Sequence, residues 1–270
     1  MGAFRAAPFF HRLRRTGRWD VLSFLLMVTL LLWLGWASFS ALDYHWQWYR
    51  IPAFLVLRDP DGWRCGLLLK GLGVTLQIVA WSLILALLFG LCAALLRLSP
   101  SPVARGIARV YLEAVRNTPL LIQLFFLYFV VAPLVGLGRF PTAVLALALF
   151  EGAYASEIFR AGILAVDKGQ WEAARSLGFG RFQAYRRVIL PQALRHILPP
   201  LTGQAVSLIK DSALVSTIAI LDLTMRGQMI VARTFLTFEI WFTVAAIYLA
   251  VTLSLSALAW RLELRLQTRR

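Results

Sequence analysis

Residues 170–200 read QWEAARSLGFGRFQAYRRVILPQALRHILPP, and the rest of the chain is understood outward from this stretch. Trp171, Ala174 and Leu177 recur at helical spacing and run up to Gly178, which predicts a helix stopped by a left-handed glycine. A second amphipathic stretch, 181–190, runs into Pro191, and Pro199-Pro200 opens the next apolar run. The segment therefore reads as two short helices joined at Gly178. Ala173 and Ala174 are small enough for another backbone to come close. Arg175, Arg181, Arg186 and Arg187 keep the segment out of lipid. An ordinary basic loop of a membrane protein would satisfy the composition equally well.

The spacing carries more than the composition. Glu172-Ala173-Ala174, three residues, Gly178, nine residues and then Val188-Ile189-Leu190-Pro191 resembles the EAA loop of ABC importer permeases. The family usually has isoleucine where this chain has Val188, a difference of one methylene. The resemblance implies that 167–195 is a coupling loop whose helix docks on an ATPase subunit. The contacts would come from Glu172, Ala173, Ala174, Gly178, Phe179, Arg181 and Phe182.

Of the 270 residues, 60% are apolar and only 15% charged, and the mean hydropathy is +0.71. That is the composition of a polytopic membrane protein, with ten Trp and seven Tyr to furnish interfacial belts. A net charge of +15 raises the question of nucleic acid. The basic residues are spread between apolar runs and not gathered on one soluble module, which excludes it. Cys65 and Cys92 are separated by most of a span and read as structural thiols.

Six spans are expected. Residues 21–42 form an uncharged run long enough to cross a hydrocarbon core, which needs about 20 residues. Ser38-Phe39-Ser40 makes a poor cleavage site, so this is read as a retained first span. An aromatic connector with a turn at Asp59-Pro60-Asp61-Gly62 leads to a second span over 71–96. Residues 97–116 read as a basic loop. The third span begins at Arg116-Asn117-Thr118-Pro119, where Asn117 or Thr118 is expected to cap the first turn, and ends near Gly138. The fourth covers 140–166, the fifth 197–221 and the sixth 240–260, with 222–239 as a polar outer connector. The resulting units are a basic tail (1–20), an extra span with its connector (21–70), a core domain (71–262) and a terminal tail (263–270).

Lys and Arg number 20 in segments 1–20, 97–116, 160–195 and 261–270, against 7 in the alternate segments. The positive-inside rule then puts both termini and the 167–195 loop in the cytoplasm. No phosphate-binding G-x-x-x-x-G-K-[ST] string occurs, and there is no GxSxG, HExxH or CxxC. With three scattered histidines there is little from which to build a metal or nucleophile site. Any nucleotide chemistry therefore belongs to another chain.

Charges inside the membrane cost roughly 2.5–3.5 kcal/mol each on insertion scales and need partners or a wet cavity. At 1.5 Å per residue, Glu151 and Lys210 both lie ~16 Å from the outer ends of their spans. That predicts a pair between spans four and five, acting as a brace or lining a polar path. Lys210 and Asp211 are neighbours that face apart, while Glu157 and Arg160 can pair along their own helix.

Three further stretches resemble polar amino-acid permeases. They are RNTPLLIQLFF (116–126, with Asn117 for the usual glycine), GAYASEIFRAGI (152–163, with Ala161 for glycine) and Gly203-Gln204 followed by IKDSALVSTI (209–218). The likeness extends from Gly71 to the end of the chain. It implies an all-α integral membrane protein of the type I ABC importer fold, with five core helices and one extra at the N-terminus. It also implies a permease of the bacterial inner membrane, without cofactor of its own, that imports polar amino acids. Its path would involve Glu151, Tyr154, Glu157, Gln204, Lys210, Asp211 and Ser212. The implied partners are two ATPase subunits carrying ATP and Mg, a second permease subunit, a periplasmic solute-binding protein and the lipid bilayer. A permease for an opine or osmolyte, or a secondary transporter, are the rival readings. The latter would require inverted repeats, of which none is visible.

Overall fold

Helices dominate because long apolar runs in lipid must satisfy every backbone group internally. The computed structural model describes residues 17–40, 44–59 and 62–267. Most of the basic N-terminal tail, the Pro60-Asp61 turn and the final residues lie outside these. The chain divides into two compact units, Met1–Trp46 and Gln47–Arg270. In the first, α1 (Gly17–Ser40) exposes apolar side chains all round, from Phe24 to Trp36.

The second unit opens with α2 (Pro52–Leu55) and a small antiparallel hairpin, β1 (Val56–Asp59) and β2 (Gly62–Cys65), in register Val56↔Cys65 through Asp59↔Gly62. This hairpin of two four-residue strands lies in the aromatic connector of an otherwise helical unit. The rest is helical: α3 (Leu67–Leu98), α4 (Pro102–Arg116), α5 (Leu120–Phe126), α6 (Ala132–Val135), α7 (Arg139–Leu164), α8 (Lys168–Ser176), α9 (Arg181–Ala184), α10 (Leu190–Asp211), α11 (Leu223–Thr234) and α12 (Thr237–Gln267).

The centre of the unit is the pairing of α3 with α7, flanked by α10. Small residues make it possible. A β-carbon on Gly90 would come within 2.7 Å of Ala155 Cβ, and one on Gly162 would collide with the Ile197 side chain of α10. Helices in lipid gain little from hydrophobicity against each other, so close backbone approach is what holds them. Tyr111 donates to the Leu149 carbonyl at 2.6 Å, pinning α4 to α7.

Among the described residues four helices are long and apolar enough to cross a membrane: 20–38 within α1, α3, α7 and the 237–261 part of α12. A fifth results if α4 and 120–135 count as one span, but they are bent by 107°. The expected fifth span at 197–221 does not qualify by composition. Its helix, α10, starts in the polar coupling segment and ends at Asp211, giving way to a 3₁₀ run over Ser212–Ile218.

Several local expectations are corrected. The basic loop at 97–116 is mostly α4, N-capped by Ser101, whose Oγ accepts from Ala104 N at 3.3 Å. Asn117 and Thr118 do not cap the following helix. Their side chains donate to the Glu113 and Ala114 carbonyls, closing the C-terminus of α4, while Gln123 Nε2 ties the corner to Val115 and Thr118. The outer connector at 222–239 is largely α11. It packs on α3 where Gly71 admits the Asp222 backbone, and Thr75 Oγ1 accepts from Leu223 N at 3.1 Å. Asp222 caps α11, accepting from Met225 N at 2.8 Å, and burial pushes its carboxyl up to about 6.

Pro191 does not end a helix. The chain runs from Arg181 to Asp211 through one π-helical turn at Tyr185–Ile189, in which Leu190 N donates to Tyr185 O. A second π turn at Leu127–Val131 stands just before Pro133, and there Ala132 N donates to Leu127 O. A proline lacks its N–H and crowds the carbonyl four residues back. Widening the turn that holds that carbonyl relieves both problems.

Candidate functional site: a coupling arm and a buried polar cluster

The segment expected to couple to an ATPase, 167–195, is an arm built around a helix stop. Asp167 Oδ1 accepts from Gly169 N at 2.6 Å and starts α8. At the other end Gly178 has φ of 75°, Gly178 N donates to Arg175 O at 2.9 Å, and Phe179 N donates to Ala174 O at 3.0 Å. This pair of bonds is a Schellman motif, which needs the left-handed residue that glycine supplies. The conformation expected of Gly178 is therefore present. Nothing lies within 4 Å of a β-carbon at Gly178, so the space in front of it is open.

The two alanines face opposite ways. Ala174 is buried beside Trp171, which stacks edge-on against Tyr185 at 4.7 Å, while Ala173 and Glu172 are exposed. Below them Val166, Ile189, Ala193 and Ile197 form a small core that fastens the arm to α10. Phe179 lies under the Arg187 guanidinium at 5.9 Å. Leu177 and Phe182 are each 74% exposed, and Arg181 is also exposed. An apolar pair at the tip of a basic arm is an unburied surface that fits a protein partner.

Within the bundle, α7 carries both acids singled out from sequence. Glu151 is buried; its Oε2 accepts from Gln204 of α10, and the Asp211 carboxyl stands beside it. The expected Glu151–Lys210 pair is absent among the described residues. Lys210 is exposed and its charge acts on Asp211. The helical phase of α10 turns Lys210 outward and brings Gln204 and Asp211 to Glu151. Glu151 Oε1 is buried without a hydrogen-bond partner. Ser212 is buried too, and its hydroxyl donates to the Ile209 carbonyl at 2.6 Å.

Glu157 sits differently. It meets Arg97 at 2.6 Å, Arg116 at 2.9 Å and Arg160 at 3.3 Å. The Arg160 contact is the expected one along α7. Arg97 and Arg116 come from the ends of α3 and α4, and no spacing rule in the sequence links them to Glu157. Arg116 also lies over the Tyr154 ring at 5.7 Å, so Tyr154 adjoins this ion cluster. Among the described residues no group of His, Cys, Asp and Glu is arranged to hold a metal.

A bundle of membrane helices held by small residues, with buried carboxyls inside and an apolar-tipped basic arm outside, is the architecture of a transport permease. The chain belongs to the family described as binding-protein-dependent transport system inner membrane component, whose model matches residues 86–268. It is therefore an inner-membrane transport subunit of the ABC importer class, of a family that works with ATPase and binding-protein partners. It is 39% identical over 204 residues to the glutamine transport system permease protein of Escherichia coli K12, covering 74% of this chain and 93% of that one. It is 44% identical over 164 residues to the L-cystine transport system permease protein TcyB of Bacillus subtilis 168, covering 60% and 70%. Among solved structures, "an amino acid ABC transporter with histidines" matches with TM-score 0.69 at 41% identity, over 74% of this chain and 94% of that one. The MetNI methionine ABC transporter, inward facing, matches with TM-score 0.64 at 20% identity over 74% and 96%, a likeness of fold alone.

Proposed function

We propose that this chain forms the translocation path of an ATP-driven importer carrying polar L-amino acids from periplasm to cytoplasm. The observation that carries the reading is the buried Glu151–Gln204–Asp211 cluster. Two carboxyls side by side with a free oxygen are an unfavourable arrangement in lipid unless they share a proton or a cation visits them. The ammonium of an amino acid is such a cation, and the exposed Lys210 on the next residue suits its carboxylate. The names of the relatives, glutamine and cystine transport permeases, support this substrate class.

ATP and Mg act on partner ATPase subunits, two per assembly, each gripping the 172–182 arm of one of two permease chains, and a periplasmic binding protein delivers the solute. Movement of the ATPase pulls on Leu177 and Phe182 and passes through the continuous 181–211 helix to Gln204 and Asp211. The arm and the cluster are thus two parts of one lever. Six spans with both termini cytoplasmic complete the topology, with α10 crossing next to the path where its polar residues are sheltered.

The test is uptake into vesicles containing the chain and its ATPase. Uptake should require ATP and an added binding protein, and glutamine or another polar amino acid should compete. Gly178→Asp should leave the chain in the membrane and ATP hydrolysis running while uptake falls at least tenfold. Normal uptake by that variant overturns the coupling role of the arm.

A further inference from the structure

Where the ends of α3, α4 and α7 meet, a cavity of about 220 Å³ is lined by Arg97, Arg105, Arg109, Arg116 and Arg160. Its only carboxylates are Glu113 and Glu157, leaving a surplus of three positive charges. Glu157 is engaged by Arg97, Arg116 and Arg160. Glu113 accepts from Asn117 Nδ2 at 2.8 Å, so it is already used at the corner of α4. Arg105 reaches only the Ser99 carbonyl, at 3.5 Å, and Arg109 has no ion pair among the described residues. These two are four apart on α4 and face the same cavity. Like charges so placed repel one another unless an anion sits between them.

The surroundings indicate which anion. Val103, Ile107 and Val110 on a different face of α4 are 69%, 61% and 70% exposed. A helix with one exposed apolar face and one arginine face lies along the boundary between hydrocarbon and water. The count of basic residues puts that boundary at the cytoplasmic leaflet, whose anionic headgroups collect in basic pockets between membrane helices. Guanidinium forks match phosphate oxygens bidentately, and phosphate is the anion that headgroups present at this boundary.

We propose that this arginine pocket binds a phosphate group, held chiefly by Arg105 and Arg109, at the inner face of the membrane. The group comes from an anionic phospholipid or from a soluble phosphate, and either would fasten α4 to the ends of α3 and α7. The site is separate from the Glu151 cluster and does not depend on which solute is carried.

The experiment uses the full-length chain purified in neutral detergent, with binding of phosphatidylglycerol and phosphatidylcholine read by native mass spectrometry. Phosphatidylglycerol should be retained over phosphatidylcholine on the order of tenfold or more, and R105Q/R109Q should lose that preference. Arg233→Gln, on α11, should keep it. Millimolar inorganic phosphate is then added. Displacement of the lipid, or phosphate binding without lipid preference, assigns the pocket to soluble phosphate; no displacement assigns it to the headgroup. Equal retention of both lipids without phosphate binding, or no change in R105Q/R109Q with its size-exclusion profile intact, overturns the proposal. Displacement by glutamine but not by phosphate also overturns it and makes the pocket part of the solute path.

Discussion

Glu151 and Glu157 lie on the same helix fewer than two turns apart, yet their surroundings are opposite. Glu157 is 28% exposed and has three arginines within 3.3 Å, from three different helices. Glu151 is 1% exposed, has an amide and another carboxyl for company, and keeps one oxygen without a partner. A carboxylate surrounded by guanidinium groups at a wet rim is complete, and such pairs fasten helix ends. A carboxylate buried with too few donors is incomplete, and incompleteness in a membrane interior is a mark of function. Sequence neighbours on one helix can thus hold unrelated jobs.

The largest effect is expected at the incomplete site. Glu151→Gln and Asp211→Asn should each lower amino-acid uptake by roughly 30- to 150-fold, the loss of a charge-assisted contact of about 2–3 kcal/mol. The amount of assembled transporter should hardly change, since the amide keeps the volume and relieves two adjacent carboxyls. Full uptake by the doubly substituted chain would make the cluster a brace and erase the contrast with Glu157.

At the complete site the balance reverses. Glu157→Gln leaves three arginines without their shared acid and should cost about 1–2 kcal/mol, discounted because every partner is a quarter or more exposed. A lower melting temperature in detergent, with uptake per assembled transporter falling less than threefold, is the expected outcome. Arg97→Gln and Arg116→Gln should each cost less than Glu157→Gln, and the two together should deviate from additivity because they share one carboxylate. Strict additivity would dissolve the cluster into independent contacts.

A third buried acid tests burial without transport. Asp222 ordinarily titrates near 3.8 and is raised to about 6 in the fold by desolvation. A raised carboxyl contributes stability that is complete below the unfolded value and is lost as pH rises through the folded one. The melting temperature should therefore decline between about pH 4 and 6, the interval between the unfolded and folded values, and level off above it. Asp222→Asn, which retains a cap, should flatten that slope. An unchanged slope would remove Asp222 as its source.

The smallest effect concerns Lys210. Lys210→Met should shift stability by no more than about 0.5 kcal/mol, because its attraction to Asp211 comes from an exposed ammonium. Its coupling to Glu151→Gln in a double-mutant cycle of stability should be near zero. A coupling above about 1 kcal/mol would restore the direct pair.

How much of this was legible beforehand follows from the range of each interaction. The helix stop at Gly178 is encoded within a few residues, because only a left-handed residue closes a Schellman turn. The apolar lengths of α3, α7 and α12, the positive-side bias and the permease likeness are likewise carried by local composition and spacing. The two π turns stand just before Pro133 and Pro191, and nothing local chooses a widened turn over a break. The right-angle corner at Asn117-Thr118 was misassigned because a capping side chain between two helices can serve either one.

The sequence alone determined the class of protein, the helix stop at Gly178 and which helices carry the charges, since hydropathy and turn chemistry act over short range. Only the tertiary structure decided the partners of those charges. Depth along a helix follows from counting residues, but azimuth depends on how small residues such as Gly90, Gly152 and Gly162 let neighbouring helices settle and rotate. That rotation placed Gln204 and Asp211 at Glu151, turned Lys210 away, and gathered Arg97, Arg116 and Arg160 around Glu157.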